Sequence, residues 1–363
     1  MSFQIHNDAI NRIFQLSTSV ANLDNSVQFL LINHATMVTK GVNIDDTTAP
    51  LTPISHNPTD SRDTFPHSWN GTNSQIGAIR TYHYNTGVVA KQWVAWAVQN
   101  NIKVIVGLTL GLDSAAAEIA AFEADYAAAN ATLKAQYDAN VIAIAVGNEQ
   151  TDVAAMNAGM ISVKAKVGVT LPSGALVTTV LAISPTWIIN TFPPQNATFT
   201  MGAAGFMSLV PNLEIVCFNC YGGYFSLGNI PGLTPQQALT TSLSWTSDPP
   251  QSEFSVLLNQ FGAIRYAMAT AVIGVPFWCT ETGWSSTPIG AETLPGWSSI
   301  SHLKTFYQNF LGFNTTTMFT PQSSSPAVLP PERIFFYAVR DVPTRPEYFG
   351  LFTSQSTPLD PKV

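Results

Sequence analysis

Apolar positions along the chain gather into short unbroken runs, separated by longer stretches where they recur with helical spacing. Lys103 to Leu110 and Val141 to Gly147 are rich in β-branched residues and end in small ones. Strands buried on both faces of a parallel sheet have this character. Similar runs are Thr39 to Ile44, Gly77 to Tyr82, Ala175 to Leu181, Leu213 to Phe218, Val275 to Cys279 and Arg333 to Val339, eight in all. Between them, Val89, Trp93, Trp96 and Ala97 fall on one helical face, and Asn85-Thr86 offers a cap for it. Residues 115–137, 152–166, 253–271 and 299–310 are further helix candidates, the first with Asp113-Ser114 as its cap. Eight strand–helix repeats predict a closed (β/α)8 TIM barrel. A doubly wound open sheet is the alternative, but it lacks the Gly-rich turn expected after the first strand.

Three regions break the rhythm. Residues 45–75 carry four prolines and read as a long loop after the first strand. Residues 195–211 and 222–250 read as Gly/Pro-rich loops with aromatics. In a barrel all three lie at or near the C-terminal face, where substrates bind. Residues 1–38 are read as an N-terminal helical extension on a 39–363 catalytic barrel. Its segment Phe3 to Thr18 is the candidate to fill the place of a helix after strand eight, where none is evident.

Composition narrows the partners. Charged residues are 10% of the 363, against about 25% in an average soluble protein. The net charge is -7, and no basic run could neutralise phosphates, which argues against nucleic acid. A polar surface made from Ser, Thr, Asn and Gln suits uncharged, hydroxyl-rich partners. Cys217 and Cys220 have CxxC spacing but lie in an apolar strand, whose alternation sends them to opposite faces; with Cys279 they read as buried free thiols, and no metal site is expected. No stretch reaches the length of a membrane span. The N-terminus lacks the charged, apolar, small-residue order of a secretory signal, so the chain is expected either to be cytoplasmic or to have had its signal removed. Sequons at Asn70, Asn130, Asn196 and Asn314 are as many as chance supplies and decide nothing.

Two glutamates stand at strand ends. Glu149 closes Ala145-Val-Gly-Asn-Glu149 after the fourth run, and Glu281 lies in Phe277-Trp-Cys-Thr-Glu-Thr-Gly-Trp284 at the seventh. A carboxylate at the rim of an apolar core is costly without partners. Opposite sides of a barrel mouth can bring two such groups within about 5 Å, the separation that covalent glycoside displacement needs. Singly, Glu149 could serve only the positive end of a following helix and Glu281 only an Arg ion pair. As a pair they point to acid/base and nucleophile.

These motifs resemble glycoside hydrolase family 17, which holds endo-β-1,3-glucanases, licheninases and fungal β-1,3-glucanosyltransferases. Val-Gly-Asn-Glu149 and Thr-Glu281-Thr-Gly-Trp284 carry the likeness, joined by Ile79-Arg-Thr-Tyr82, Asn219-Cys-Tyr221 and Phe349-Gly-Leu-Phe352. The resemblance implies a (β/α)8 barrel and retention of configuration, with Glu149 as acid/base and Glu281 as nucleophile. It further implies that Asn148 bonds the 2-hydroxyl of the reacting sugar, that Tyr221 and Arg80 orient and charge-stabilise Glu281, and that Asn219 belongs to the substrate-binding set. Trp284 is a candidate stacking platform. Tyr224, Phe225, Trp245 and Trp297 are candidates to hold an acceptor chain; His83, after strand two, lines the site or is a solvated loop residue. Two departures stand out. The strand-six motif runs on as Tyr221-Gly-Gly-Tyr-Phe225, and near strand eight Val342 and Arg345 occupy the places of a Glu and a Lys.

The expected function is β-1,3-glucan cleavage by double displacement with transfer to a sugar acceptor, with water as acceptor (an endo-β-1,3-glucanase) the alternative. The expected partner is a β-glucan oligosaccharide or polysaccharide; no cofactor is expected, and the oligomeric state is not readable. The resemblance also implies a secreted or cell-wall-associated enzyme. Two readings of other classes stay open: a glucan-binding barrel without turnover, and a metal-dependent barrel isomerase or hydrolase, although the six histidines form no ligand pair.

Overall fold

Each β-rich run of the sequence is a strand in the computed structural model, which describes residues 40–45, 76–84, 89–110, 114–182, 201–222, 232–246, 255–288, 292, 294–321, 326–342, 348–353 and 362–363. The strands are β1 (Lys40–Asn43), β2 (Ile76–Arg80), β3 (Lys103–Leu108), β4 (Val141–Asn148), β5 (Leu176–Ala182), β6 (Val216–Asn219), β7 (Phe277–Thr282) and β8 (Arg333–Phe336). All pair in parallel in sequence order, and β8 returns to β1 to close the barrel. The fold is a (β/α)8 barrel. The expected N-terminal extension and the 45–75 loop, Asp45 apart, lie outside the described residues.

The helices are α1 (Val89–Gln99), α2 (Ser114–Ala128), α3 (Ala131–Asn140), α4 (Val153–Lys164), α5 (Gly202–Leu209), α6 (Pro235–Leu243), α7 (Val256–Thr270) and α8 (Ile300–Gly312). The expected helix over 115–137 is two, because Asn130 stops the first and its side chain accepts from Leu133 N to cap the second. The stretches read as Gly/Pro-rich loops contain α5 and α6. In α6 Pro235 sits at the first helical position after Thr234, whose capping box with Gln237 starts the helix, so this proline marks an N-terminus rather than a break. After β8 no helix follows among the described residues.

Alternation along the strands creates two cores. Outward-facing residues such as Val104, Val106, Ile144, Val146, Phe277 and Cys279 pack under the helices. Inward-facing Ala78, Ile105, Ala143, Ala145, Val180, Ile215, Cys217, Trp278 and Phe335 fill the barrel itself. Small residues make room for the large rings: a Cβ on Gly41 would sit 2.4 Å from the Phe335 ring. The three cysteines are free and buried, as their apolar surroundings predicted.

Candidate active site

Above this apolar filling, toward the C-terminal ends of the strands, the inward positions turn polar. Arg80 closes β2 and is 1% exposed, so its guanidinium must find partners inside. Its Nη1 donates to Glu281 Oε1 at 2.9 Å, to the Thr280 carbonyl at 3.1 Å and to Asn219 Oδ1 at 3.3 Å. Its Nη2 donates to Asn148 Oδ1 at 2.7 Å. One cation thus ties the ends of β4, β6 and β7 together. Burial would push this guanidinium down, but the Tyr82 phenol, Glu281 and the Cys217 thiol outweigh it and hold Arg80 above its usual value.

Glu281 is 6% exposed, and both of its oxygens are occupied. Oε1 accepts from Arg80 and from the Tyr82 hydroxyl at 2.8 Å, while Oε2 accepts from the Tyr221 hydroxyl at 2.7 Å. Burial first, and the facing carboxylate second, hold both phenols well above ordinary tyrosine, so they stay protonated donors. The Arg80 guanidinium also lies 4.5 Å from the Tyr82 ring centre. Tyr82 carried no assigned role in the sequence. The available signal was its place two residues after Arg80, on the same side of the extended chain.

Glu149 has different surroundings. Its side chain is exposed, and its Oε1 accepts from Asn219 Nδ2 at 2.8 Å. The same Nδ2 donates to Asn148 Oδ1 at 3.1 Å. That oxygen therefore takes two donors, which fixes the Asn148 amide and leaves its Nδ2 to donate elsewhere. Asn219 bridges the two glutamates: it bonds Glu149 on one side and, through its own Oδ1, Arg80 and Thr280 on the other.

Simple alternation would not assemble this cluster. Asn148 and Glu149 are adjacent, as are Thr280 and Glu281, yet all four bond into one network; a regular pleat sends neighbours to opposite faces. The register shifts between Ala145 and Asn148 on β4, and between Cys279 and Thr282 on β7. On β4 the distortion includes Gly147 at φ +81° and Glu149 at φ +55°. A left-handed glutamate is uncommon and strained, and such residues gather where side chains must be aimed. Main-chain bonds from Glu149 N to Val180 O (2.9 Å) and from Cys220 N to Glu281 O (2.8 Å) hold both segments to neighbouring strands.

The structure thus brings together Arg80, Asn148, Glu149, Asn219, Tyr221 and Glu281. Trp284 is a correction: it is 0% exposed, packs with tilted rings at 5.5 Å from Trp297 and 5.7 Å from Phe306, and donates its indole N–H to Trp297 O. A buried indole offers no face to a sugar. The chain turns outward after Gly283, so a strand-end aromatic packs beneath the helices instead. Trp297 (0%) and Trp245 (7%) are likewise packed rather than open at the mouth. Tyr224, Phe225 and Arg345 lie outside the described residues. Val342, in the position of the missing Glu, is buried at 5%, while its neighbour Asp341 pairs with Lys362 at 2.6 Å.

No protein-family model matches the chain, and no curated protein matches it by sequence. Solved structures do match its fold. An active-site mutant of the Rhizomucor miehei β-1,3-glucanosyltransferase, in complex with laminaritriose, superposes with TM-score 0.52 at 15% identity, over 90% of this chain and 97% of that one. A second structure of that enzyme, described as a glycoside hydrolase family 17 member, gives 0.51 at 14% over the same shares. A plant β-glucan endohydrolase gives 0.52 at 20%, over 86% of this chain and 96% of that one. At these identities the likeness is one of fold, a (β/α)8 barrel shared over nearly its whole length.

Proposed function

We propose that this chain is a retaining β-1,3-glucan-active enzyme of glycoside hydrolase family 17, with Glu281 as nucleophile and Glu149 as acid/base. The observation that carries the reading is the contrast between the two glutamates within one hydrogen-bonded network. Glu281 is enclosed and saturated by Arg80, Tyr82 and Tyr221, whereas Glu149 is exposed and held through Asn219. Two carboxylates in unlike environments can divide acid and nucleophile roles. A Glu281 oxygen attacks the anomeric carbon while Glu149 gives its proton to the departing glycosidic oxygen. A glycosyl ester forms and the sugar–oxygen bond breaks. Glu149 then takes a proton from the incoming hydroxyl, which displaces Glu281 and restores both groups. Asn148 Nδ2 is free to bond the 2-hydroxyl of the reacting sugar as positive charge grows on the ring.

Fold likeness to a glucanosyltransferase and to an endohydrolase supports a β-glucan as substrate, and we infer that a sugar hydroxyl is the favoured acceptor. Incubation with a short β-1,3-gluco-oligosaccharide, read by mass spectrometry, tests both levels. Products longer than the donor are expected. Only shorter ones replace transfer with hydrolysis, and no change in the oligosaccharide overturns the substrate. A secreted or cell-wall location follows from the substrate proposed; among the described residues no helix is long and apolar enough to cross a membrane.

A further inference from the structure

We infer a second carbohydrate-binding site, on the outer wall of the barrel beside the C-terminal end of α8. A cavity of about 530 Å³ opens between the end of α6, the C-terminal end of α8 and the segment after it. Its place is fixed by Lys40, the first residue of β1, which donates to the Leu311 carbonyl near the end of α8. This end of α8 therefore lies beside the N-terminal ends of the strands, whereas Glu149 and Glu281 stand at the C-terminal ends. The volume is within the range of about 300–1,000 Å³ that ligand pockets occupy.

Its chemistry suits a neutral sugar. Phe313 and Met318 supply apolar surface over the packed edge of Trp245, and Gln308, Asn309, Asn314 and Thr317 supply amides and a hydroxyl; no charged side chain lines it among the described residues. Gln308 and Thr317 are exposed, and their side chains make no hydrogen bond among the described residues. The Asn309 amide donates to the Leu243 carbonyl, which holds it to the wall. Apolar surface for C–H faces and amides for hydroxyls together suit an uncharged pyranoside. Resting on the function proposed above, the occupant is a β-1,3-glucan chain, whose length allows one polymer to be held at the wall while another segment enters the mouth.

Gly312 provides the test. It ends α8 on the cavity's edge, and a Cβ there meets nothing within 4 Å, so a large side chain starts there without a clash at its root, and Gly312→Trp is the variant to fill the cavity. The Glu281→Gln protein is titrated with a β-1,3-glucohexaose, and the stoichiometry is read by native mass spectrometry. Two equivalents are expected, falling to one when Gly312→Trp is added. Gln308→Ala, which removes an exposed amide from the lining, should weaken the second equivalent by about fivefold. In the otherwise wild-type enzyme, Gly312→Trp should leave hexaose turnover unchanged and raise KM for the polymer about threefold. One equivalent in Glu281→Gln, or two that persist in the Gly312→Trp double variant, overturns the second site. Failure of the proposed function reads differently: the wild-type enzyme then does not turn over the hexaose, whatever the stoichiometry.

Discussion

Near the N-terminal end of the barrel interior, Ala78, Ile105, Ala143, Trp278 and Phe335 fill the space with apolar side chains. A few residues further along the same strands, Arg80, Asn148, Asn219 and Glu281 form a buried polar network. The lower part is built by alternation and volume, although the register shifts there too, at Lys40/Gly41 on β1 and at Val104/Ile105 on β3. The upper part needs neighbouring residues on one face, which a regular pleat forbids, and there the register shifts on β4 and β7 and Glu149 adopts φ +55°. Alternation and volume therefore serve stability at one end, and the break around Gly147 and Glu149 serves placement of charge at the other.

Substitutions can separate the two ends. The largest effect is expected at the top: Glu281→Ala should lower kcat per folded molecule on β-1,3-gluco-oligosaccharides by about 10⁴-fold or more with binding kept, and Arg80, left buried without its carboxylate, should lower the melting temperature as well. Near wild-type turnover would end the assignment of the nucleophile. At the bottom, Phe335→Ala leaves a cavity against Gly41 and should cost about 3–5 kcal/mol in denaturant unfolding, with kcat per folded molecule unchanged. Loss of activity without loss of stability would erase the distinction drawn here.

Lys40 sharpens the comparison through pH. Burial lowers its ammonium to about 8, against 10.5 for the free side chain. Between those values the unfolded chain binds more protons than the folded one, so unfolding free energy rises with pH. Lys40→Met should therefore be more stable than wild type by roughly 2 kcal/mol at pH 7. The gap should narrow as pH climbs from 8 to 10, which thermal melts across that range will read.

Tyr82→Phe is the smallest change. It removes one of three donors to Glu281 and should reduce kcat/KM about tenfold, by roughly 1.4 kcal/mol. Since the Tyr82 and Tyr221 phenols are held well above ordinary tyrosine, the alkaline limb of the pH profile should keep its position in this variant. A limb near pH 10 that disappears with Tyr82 would show that its phenol ionises after all.

Much of the barrel was legible because parallel strands buried on both faces leave continuous apolar runs, and all eight are strands. The helices α5 and α6 escaped notice because Gly202, Pro211 and Pro235 look like loop residues until their positions at helix ends are seen. At the site, strand-end position singled out Glu149 and Glu281, the family resemblance added Asn148, Arg80, Asn219 and Tyr221, and these six lie in one hydrogen-bonded network. What pattern could not supply was direction. Trp284 follows the same strand as Glu281 but faces the helices, and Tyr82 joins Glu281 although nothing in its own spacing names a partner. Both depend on how the chain leaves the strand, which is decided by packing against distant elements.

As the proposed nucleophile, Glu281 bonds covalently to the sugar. A 2-deoxy-2-fluoro-β-glucoside of a β-1,3-linked disaccharide with an activated leaving group slows both steps and should trap that ester. Peptide mass spectrometry after brief digestion should find the disaccharide mass on the fragment containing Glu281 and on no other, with no label in Glu281→Gln. A label on another residue, or an active enzyme that never accumulates one, would contradict the account.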